Sequence, residues 1–168
     1  VSAGEDMQPG MTLPDVALPS TDGRDIDLGA LPGKVLLIVY PWTGQPGAPN
    51  PPNWDDIPGA HGSTPELEAF RDLAVQFAAR GIALLALSRQ ATGYQQELVT
   101  RLGLPFPILS DVEDRVWPAL RLETFETGGE TYLTRVTLLI ENGAVARVFD
   151  KIRDPGAHAA ELLAKLEA

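Results

Sequence analysis

An α/β fold with a central mixed sheet is what this sequence predicts, and three observations lead to it. Two continuous β-prone runs, residues 35–40 and 82–87, are separated by a segment with apolar residues at helical spacing. A further β-prone stretch near the C-terminus is interrupted by Glu141-Asn142-Gly143-Ala144, and Asn-Gly between two such runs signals a hairpin. The order strand, helix, strand, helix, strand, hairpin, helix places parallel and antiparallel neighbours in one sheet, with helices to cover it.

Each element has its own justification. Residues 14–19 and 25–28 alternate apolar and polar side chains around Thr21-Asp22-Gly23-Arg24, the pattern of a short N-terminal β-hairpin. The run Val35-Leu36-Leu37-Ile38-Val39-Tyr40 has no polar face, as expected of a central strand covered on both sides, and Pro41 ends it. Leu67, Phe70, Leu73, Ala74, Phe77 and Ala78 share one helical stripe, which Arg80-Gly81 closes with a cation and a residue suited to left-handed backbone. Residues 82–87 form the next buried strand and residues 94–102 the next helix, stopped by Gly103. Pro105 and Pro107 restrict the strand over 105–110 to pairing on one side. One or two helical turns follow at 116–120. After the Gly128-Gly129 break, residues 132–140 and 145–149 are expected as two strands, and Ala159, Leu162, Leu163 and Leu166 mark a closing helix from Gly156.

At 168 residues, with 44% hydrophobic and 21% charged side chains, the chain suits one core rather than two, so residues 11–168 are expected to form a single domain. Residues 1–10 contain little to bury and are expected to be a flexible N-terminal segment. No apolar run approaches the roughly 20 residues that span a bilayer, and a net charge of -10 opposes nucleic-acid and anionic-lipid partners. A cytoplasmic location is the expectation. The chain has no cysteine, which removes disulfides, thiolate zinc sites and iron–sulfur clusters together. Nothing in the sequence asks for a cofactor or a metal.

The segment 41–65 holds seven prolines and four glycines along with Trp42 and Trp54, so it reads as a long irregular loop, and such loops usually have a purpose. Its tryptophans either cover the rim of the core or form a contact patch. At its end, Ser63-Thr64-Pro65-Glu66 fits a capping box, with serine accepting from the first helical turn and glutamate reaching back. His61 near Ser63, with Asp55 or Asp56, suggests a hydrolase triad, but His61 and Pro65 stand where a nucleophile elbow needs glycines. Asp55, Asp56, His61 and Glu66 are poorly spaced for a metal. Arg135 opens an apolar strand, so its charge must meet a carboxylate or face a pocket. Glu68 reads as a first-turn acid favoured by the helix dipole.

Several of these stretches resemble the peroxiredoxin family, in particular its bacterioferritin-comigratory, or Q-type, branch. They are Pro14-Asp15-Val16, Leu31-Pro32-Gly33-Lys34, Pro41, Phe70-Arg71-Asp72, Leu104-Pro105-Phe106-Pro107-Ile108-Leu109-Ser110-Asp111 and Arg135-Val136-Thr137-Leu138-Leu139-Ile140. Gly62-Ser63-Thr64-Pro65-Glu66 is similar to the family's Gly-Cys-Thr-Pro-Glu turn, with serine in the place of the peroxide-attacking cysteine. The resemblance implies a thioredoxin-like fold and a thiol-dependent activity toward hydrogen peroxide and organic hydroperoxides. It also implies a site made of position 63, Arg135, Pro41 and a threonine. Where the family has that threonine, three residues before the cysteine, this chain has Ala60, so Thr43 is the threonine expected to reach the pocket. The optional resolving cysteine of some Q-type members is replaced by Glu68.

The implied partners are a peroxide-like small molecule, a thiol reductant such as thioredoxin for an active parent, and a second copy in a homodimer. With serine at 63, by substitution or by nature, the chain is expected to be inactive as a peroxidase. The alternative is a noncatalytic binding protein that uses the loop 41–64.

Overall fold

The apolar run predicted to be central occupies the middle of a five-stranded sheet. The structure, a computed structural model, describes residues 9–166. Strand β3 (Lys34–Val39) pairs in parallel with β4 (Ile82–Ser88) and antiparallel with β8 (Val136–Glu141). Strand β5 (Ile108–Ser110) extends the sheet beyond β4, and β9 (Ala144–Phe149) beyond β8, giving the order β5-β4-β3-β8-β9. The predicted N-terminal hairpin is β1 (Ala17–Pro19) against β2 (Asp25–Asp27).

Period-two alternation on β3 splits the core into two layers. Val35, Leu37 and Val39 pack with Leu13, Leu18 and Leu28 of the N-terminal region and with Val116 and Leu120. Leu36, Ile38 and Tyr40 face the opposite layer, where helix α1 (Ser63–Ala79) contributes Leu67, Phe70 and Phe77. Helix α2 (Thr92–Leu102) adds Leu98 to that layer, and helix α4 (Pro155–Lys165) adds Ala159 and Leu162. A short helix α3 (Trp117–Leu120) lies in the first layer.

The proline-limited strand is an edge strand as expected. Its outer side is covered rather than open: Ser20 bridges Leu109, and Thr21 both donates to Ile108 O (3.0 Å) and accepts from Ile108 N (3.0 Å). Helix α1 is capped by Arg80, whose Nη1 donates to Leu163 O of α4 and so ties the far ends of the two helices. Residues 1–8 of the segment expected to be flexible lie outside the described residues; Gly10 N already donates to Val145 O at 2.7 Å.

One strand expectation is corrected. The run 132–140 is not continuous but splits into β7 (Glu130–Leu133) and β8, with Thr134 and Arg135 between them. Thr134 N donates to Glu123 O (2.9 Å), and Arg135 turns out of the sheet toward α1. Freed from β8, β7 pairs with β6 (Thr124–Thr127), a strand the sequence reading omitted, around Gly128 (φ 60°) and Gly129 (φ 81°). Positive φ at both central residues is the hairpin turn that Gly-Gly favours.

His158 joins α4 to the sheet: it is buried, its Nε2 lies 2.9 Å from Thr137 Oγ1 on β8, and its ring meets Phe70 edge-on. Burial, then the charges of Arg135 and Lys165, lower its pKa to about 4. The folded state therefore binds fewer protons than the unfolded chain between pH about 6.5 and 4, and this group's contribution is lost as pH falls through that window. His158→Gln should flatten the acid limb of the stability profile by on the order of 3 kcal/mol, read from urea midpoints at pH 4 to 7.

Candidate active site

Helix α1 begins at Ser63 directly after Gly62, which sits at φ 110° and supplies no side-chain cap. The capping-box expectation is therefore corrected. Ser63 is the first residue of the helix, not its cap, and Glu66 does not reach back to the backbone. Both side chains turn to Arg135 instead: Arg135 Nη1 donates to Glu66 Oε1 at 2.6 Å and to Ser63 Oγ at 3.1 Å. A charge-assisted bond to a guanidinium outweighs a neutral capping bond.

The other end of the fork is equally engaged. Arg135 Nη2 donates to the carbonyls of Gly59 (3.3 Å), Ala60 (3.3 Å) and His61 (3.1 Å), so one cation organises the last turn of the loop and the first turn of α1. The Arg135 side chain is 3% exposed and that of Glu66 is fully buried. Burial pushes the Glu66 carboxyl up to about 7, against the opposing pull of the Arg135 charge and hydrogen bond. Of the two readings of Arg135, the ion pair is realised, and the same guanidinium also touches Ser63.

Thr43 is buried and lines a cavity of about 230 Å3 together with Ser63, Thr64, Trp42, Trp54 and Asn50. Its hydroxyl and its N–H both donate to Gln90 Oε1 (3.3 Å each), and its carbonyl accepts from Gln90 Nε2 (3.1 Å) and Tyr94 OH (2.8 Å). With its proton given to Gln90, the Thr43 oxygen is left as an acceptor. Pro41 is buried two residues beyond the end of β3 and does not line this cavity, and Arg135 stands behind Ser63 rather than in the cavity wall. Thus Thr43 and Ser63 share one cavity, and Arg135 reaches it through Ser63.

Trp54 is 4% exposed, packed edge-on against Trp42 (5.3 Å) and Tyr132 (5.0 Å) and tilted against Phe125 (5.7 Å). It covers the core, whereas half-buried Trp42 forms part of the cavity mouth. The His61 ring pairs with Asp55 at 3.7 Å on the open surface, and no hydrogen bond joins it to Ser63 among the described residues. Glu66 is held away from Asp55, Asp56 and His61 by Arg135, so the four do not converge. Glu68 pairs with Arg71 one turn along α1 (3.9 Å). The sequence reading missed Glu66 as the partner of Arg135, and Gln90 and Tyr94 as the holders of Thr43. The first was hidden by its fit to a capping motif; no local signal marks the others.

Two outcomes test this geometry. A Cβ at position 62 would meet Pro155 Cγ at 2.8 Å in a backbone conformation that disfavours side chains, so Gly62→Ala should cost roughly 2 kcal/mol in urea unfolding. Arg135→Met should cost roughly 3 kcal/mol or more by leaving Glu66 buried without its partner. With that partner gone the folded Glu66 pKa rises above about 7 while the unfolded value stays ordinary, so the variant loses stability as pH rises. Adding Glu66→Gln should rescue it at pH 8 and change little at pH 5.

Comparisons with known proteins agree on the family. The redoxin family model matches residues 8–165. A Coxiella burnetii protein that carries the peroxiredoxin bcp name is 30% identical over 162 residues, covering 94% of this chain and 97% of that one. The chloroplastic peroxiredoxin Q of Sedum lineare is 28% identical over 165 residues, 95% of this chain and 77% of that one. The crystal structure of peroxidoxin BcpB from Mycobacterium tuberculosis superposes with a TM-score of 0.75 at 25% identity, covering 96% and 99% of the two chains. With nearly its whole length matched and its sheet and helices in the thioredoxin-like arrangement, the chain belongs to the redoxin family, as a peroxiredoxin of the bcp/Q type.

Proposed function

We propose that this chain keeps the peroxide-orienting frame of a thiol peroxidase without the nucleophile, and that it is inactive toward hydrogen peroxide and organic hydroperoxides as it stands. The observation that carries the reading is the 3.1 Å contact between Arg135 Nη1 and Ser63 Oγ at the head of α1. Position 63 lies where an arginine and a helix N-terminus would favour an anion. A thiol there, with an ordinary pKa of about 8.5, becomes substantially ionised under modest stabilisation. An alcohol lies many units higher and has no stable oxidised form to hand to a reductant.

In a parent with cysteine at 63, the thiolate would attack one peroxide oxygen. A sulfur–oxygen bond forms as the oxygen–oxygen bond breaks, and the alkoxide or hydroxide leaves with a proton. The resulting sulfenic acid would condense with an external thiol, releasing water, and a second thiol would free the enzyme, since the chain holds no resolving cysteine. Arg135 would act through position 63, stabilising the anion there, Thr43 would accept from the peroxide O–H, and Pro41, outside the cavity wall, would set where the loop leaves the sheet. A cytoplasmic setting goes with this reading, because a reducing thiol pool is what recycles such a cysteine. Among the described residues, no helix is long and apolar enough to cross a membrane.

A second reading, binding without turnover through the loop 41–64, is favoured by one feature: half-buried Trp42 and exposed Asn50 stand at the mouth of the Ser63 cavity. The two share a cavity and differ in chemistry. The test is hydroperoxide consumption with a small thiol or thioredoxin as reductant. The unaltered chain should show only the uncatalysed rate, and Ser63→Cys should consume peroxide. A folded Ser63→Cys protein without turnover overturns the peroxidase frame, and turnover by the unaltered chain overturns the claim about the nucleophile.

A further inference from the structure

Trp42 occupies a place in the wall of the Ser63 cavity that the core does not require. Trp54 already fills the aromatic box at 4% exposure, whereas Trp42 meets it edge-on (5.3 Å) and stays half-buried beside Ser63. Its ring is held in one place. A Cβ on Gly44 would lie 3.3 Å from Trp42 Cη2 and 3.5 Å from Cζ3, so the far edge of the indole rests on bare backbone. Gly44 is not at positive φ, so its missing side chain serves this close approach rather than a left-handed turn. The flanking backbone is fixed as well: Gln90 and Tyr94 hold Thr43, and Gly44 O accepts from Arg101 Nη2 (3.0 Å). A large apolar ring is thus offered to the cavity in a set position, and binding against it needs little further ordering of the protein.

We propose that Trp42 sets the substrate preference of this site, selecting hydroperoxides whose body is a single uncharged aromatic ring. The assignment rests on the reading of the Ser63 cavity as the hydroperoxide site. Its volume of about 230 Å3 falls below the roughly 300–1,000 Å3 of drug-sized sites, which suits one ring better than a long chain. Pairing of an aryl group with the indole adds to the gain from burying its area, and an aliphatic body lacks that addition. No Asp, Glu, Lys or Arg lines the cavity among the described residues, and His61 at its rim is engaged with Asp55 (3.7 Å). In a chain of net charge -10, a carboxylate on the substrate would lose hydration there without meeting a counter-charge. In turnover the thiolate that Ser63→Cys supplies forms a sulfur–oxygen bond to the distal O–H as the oxygen–oxygen bond breaks. The proximal oxygen takes a proton and stays on the organic body as an alcohol. That alcohol carries the same ring, so it reports on Trp42 without any chemistry at position 63.

The binding test titrates the unaltered, isotope-labelled chain with cumyl alcohol, using tert-butanol as the ringless control and para-carboxy cumyl alcohol as the charged one. Saturable NMR shifts are expected at the Trp42 indole N–H and the Thr64 amide, with each control binding at least about tenfold more weakly. Trp42→Leu should weaken cumyl alcohol by about tenfold, and Trp42→Phe, which keeps an aromatic wall, should restore most of the loss. The turnover test adds Ser63→Cys to each protein. The ratio of kcat/KM for cumene hydroperoxide to that for hydrogen peroxide should fall by about tenfold with Trp42→Leu and recover with Trp42→Phe. Peroxide turnover with that ratio unchanged overturns the proposal and leaves the peroxidase reading standing. Alcohol binding that depends on Trp42, without turnover by any Ser63→Cys protein, supports Trp42 as the selecting residue while the peroxidase reading falls. Shifts that never saturate, or tert-butanol bound as tightly as cumyl alcohol, overturn the proposal whatever the turnover.

Discussion

A guanidinium buried between a sheet and a helix has to be surrounded by acceptors, and meeting that demand at Arg135 organises much of this molecule. Glu66 supplies the counter-charge from α1, Ser63 a hydroxyl from the same turn, and residues 59, 60 and 61 their carbonyls from the loop. Neither member of the ion pair could be left alone at this depth. To reach these partners, Arg135 leaves the line of β8. That departure separates β7 from β8 and lets β7 pair with β6. The hairpin so formed carries Phe125 and Tyr132, which receive Trp54 from the loop. One cation thus accounts for the position of the helix start, the break in a strand and the seat of an aromatic anchor.

The loop 41–62 shows how a segment without much regular structure of its own can be held in place. Ordering each of its residues costs roughly 1–2 kcal/mol of backbone entropy, and prolines lower that cost by restricting the unfolded chain. The contacts that offset the remainder come from elements far away in sequence. Thr127 Oγ1 donates to Pro52 O (2.5 Å), the Pro52 ring lies where a Cβ on Gly128 would be at 2.9 Å, and Trp54 fills the aromatic box. At the other end, Gln90 and Tyr94 hold Thr43, and Arg101 Nη2 donates to Gly44 O (3.0 Å). Gln90 is itself fixed, with its N–H on Ser88 Oγ (3.3 Å) and its carbonyl accepting from Ser110 Oγ (2.6 Å). The walls of the Ser63 cavity are therefore set by the sheet, through these residues, more than by the loop.

What could be read from the sequence divides along the range of the interaction concerned. The run at 35–40 declared a doubly covered strand because its alternate residues both face apolar layers, and the stripe from Leu67 to Phe77 declared α1 for the same reason. Asn142-Gly143 and Arg80-Gly81 acted locally and were legible. Gly128-Gly129 carried an equally local hairpin signal, but the apolar run behind it concealed the break at Thr134. The capping motif at 63–66 misled because a cap is decided within one turn, whereas Arg135, about seventy residues away in sequence, decides where these two side chains point. Thr43 was placed in the pocket on resemblance, and it does line the cavity beside Ser63. Its orientation could not be foreseen, because Gln90 lies 47 residues further on and no spacing links them.

The same arrangement limits what any atom at position 63 can do. Arg135 is not a free positive charge beside position 63: its closest partner is the Glu66 carboxyl at 2.6 Å. When Glu66 is ionised the pair is close to neutral, and the field that remains at position 63 comes from the residual guanidinium dipole and the uncapped first turn of α1. When Glu66 takes up a proton, which its raised pKa of about 7 brings within reach, the full cation is left beside Ser63. The stabilisation offered to an anion there is thus set by the protonation of a buried carboxyl one helical turn away. For sulfur, whose ordinary pKa is only a unit or two above neutrality, a field of this size decides the fraction ionised. For the oxygen of Ser63 the gap is too wide for the same field to close.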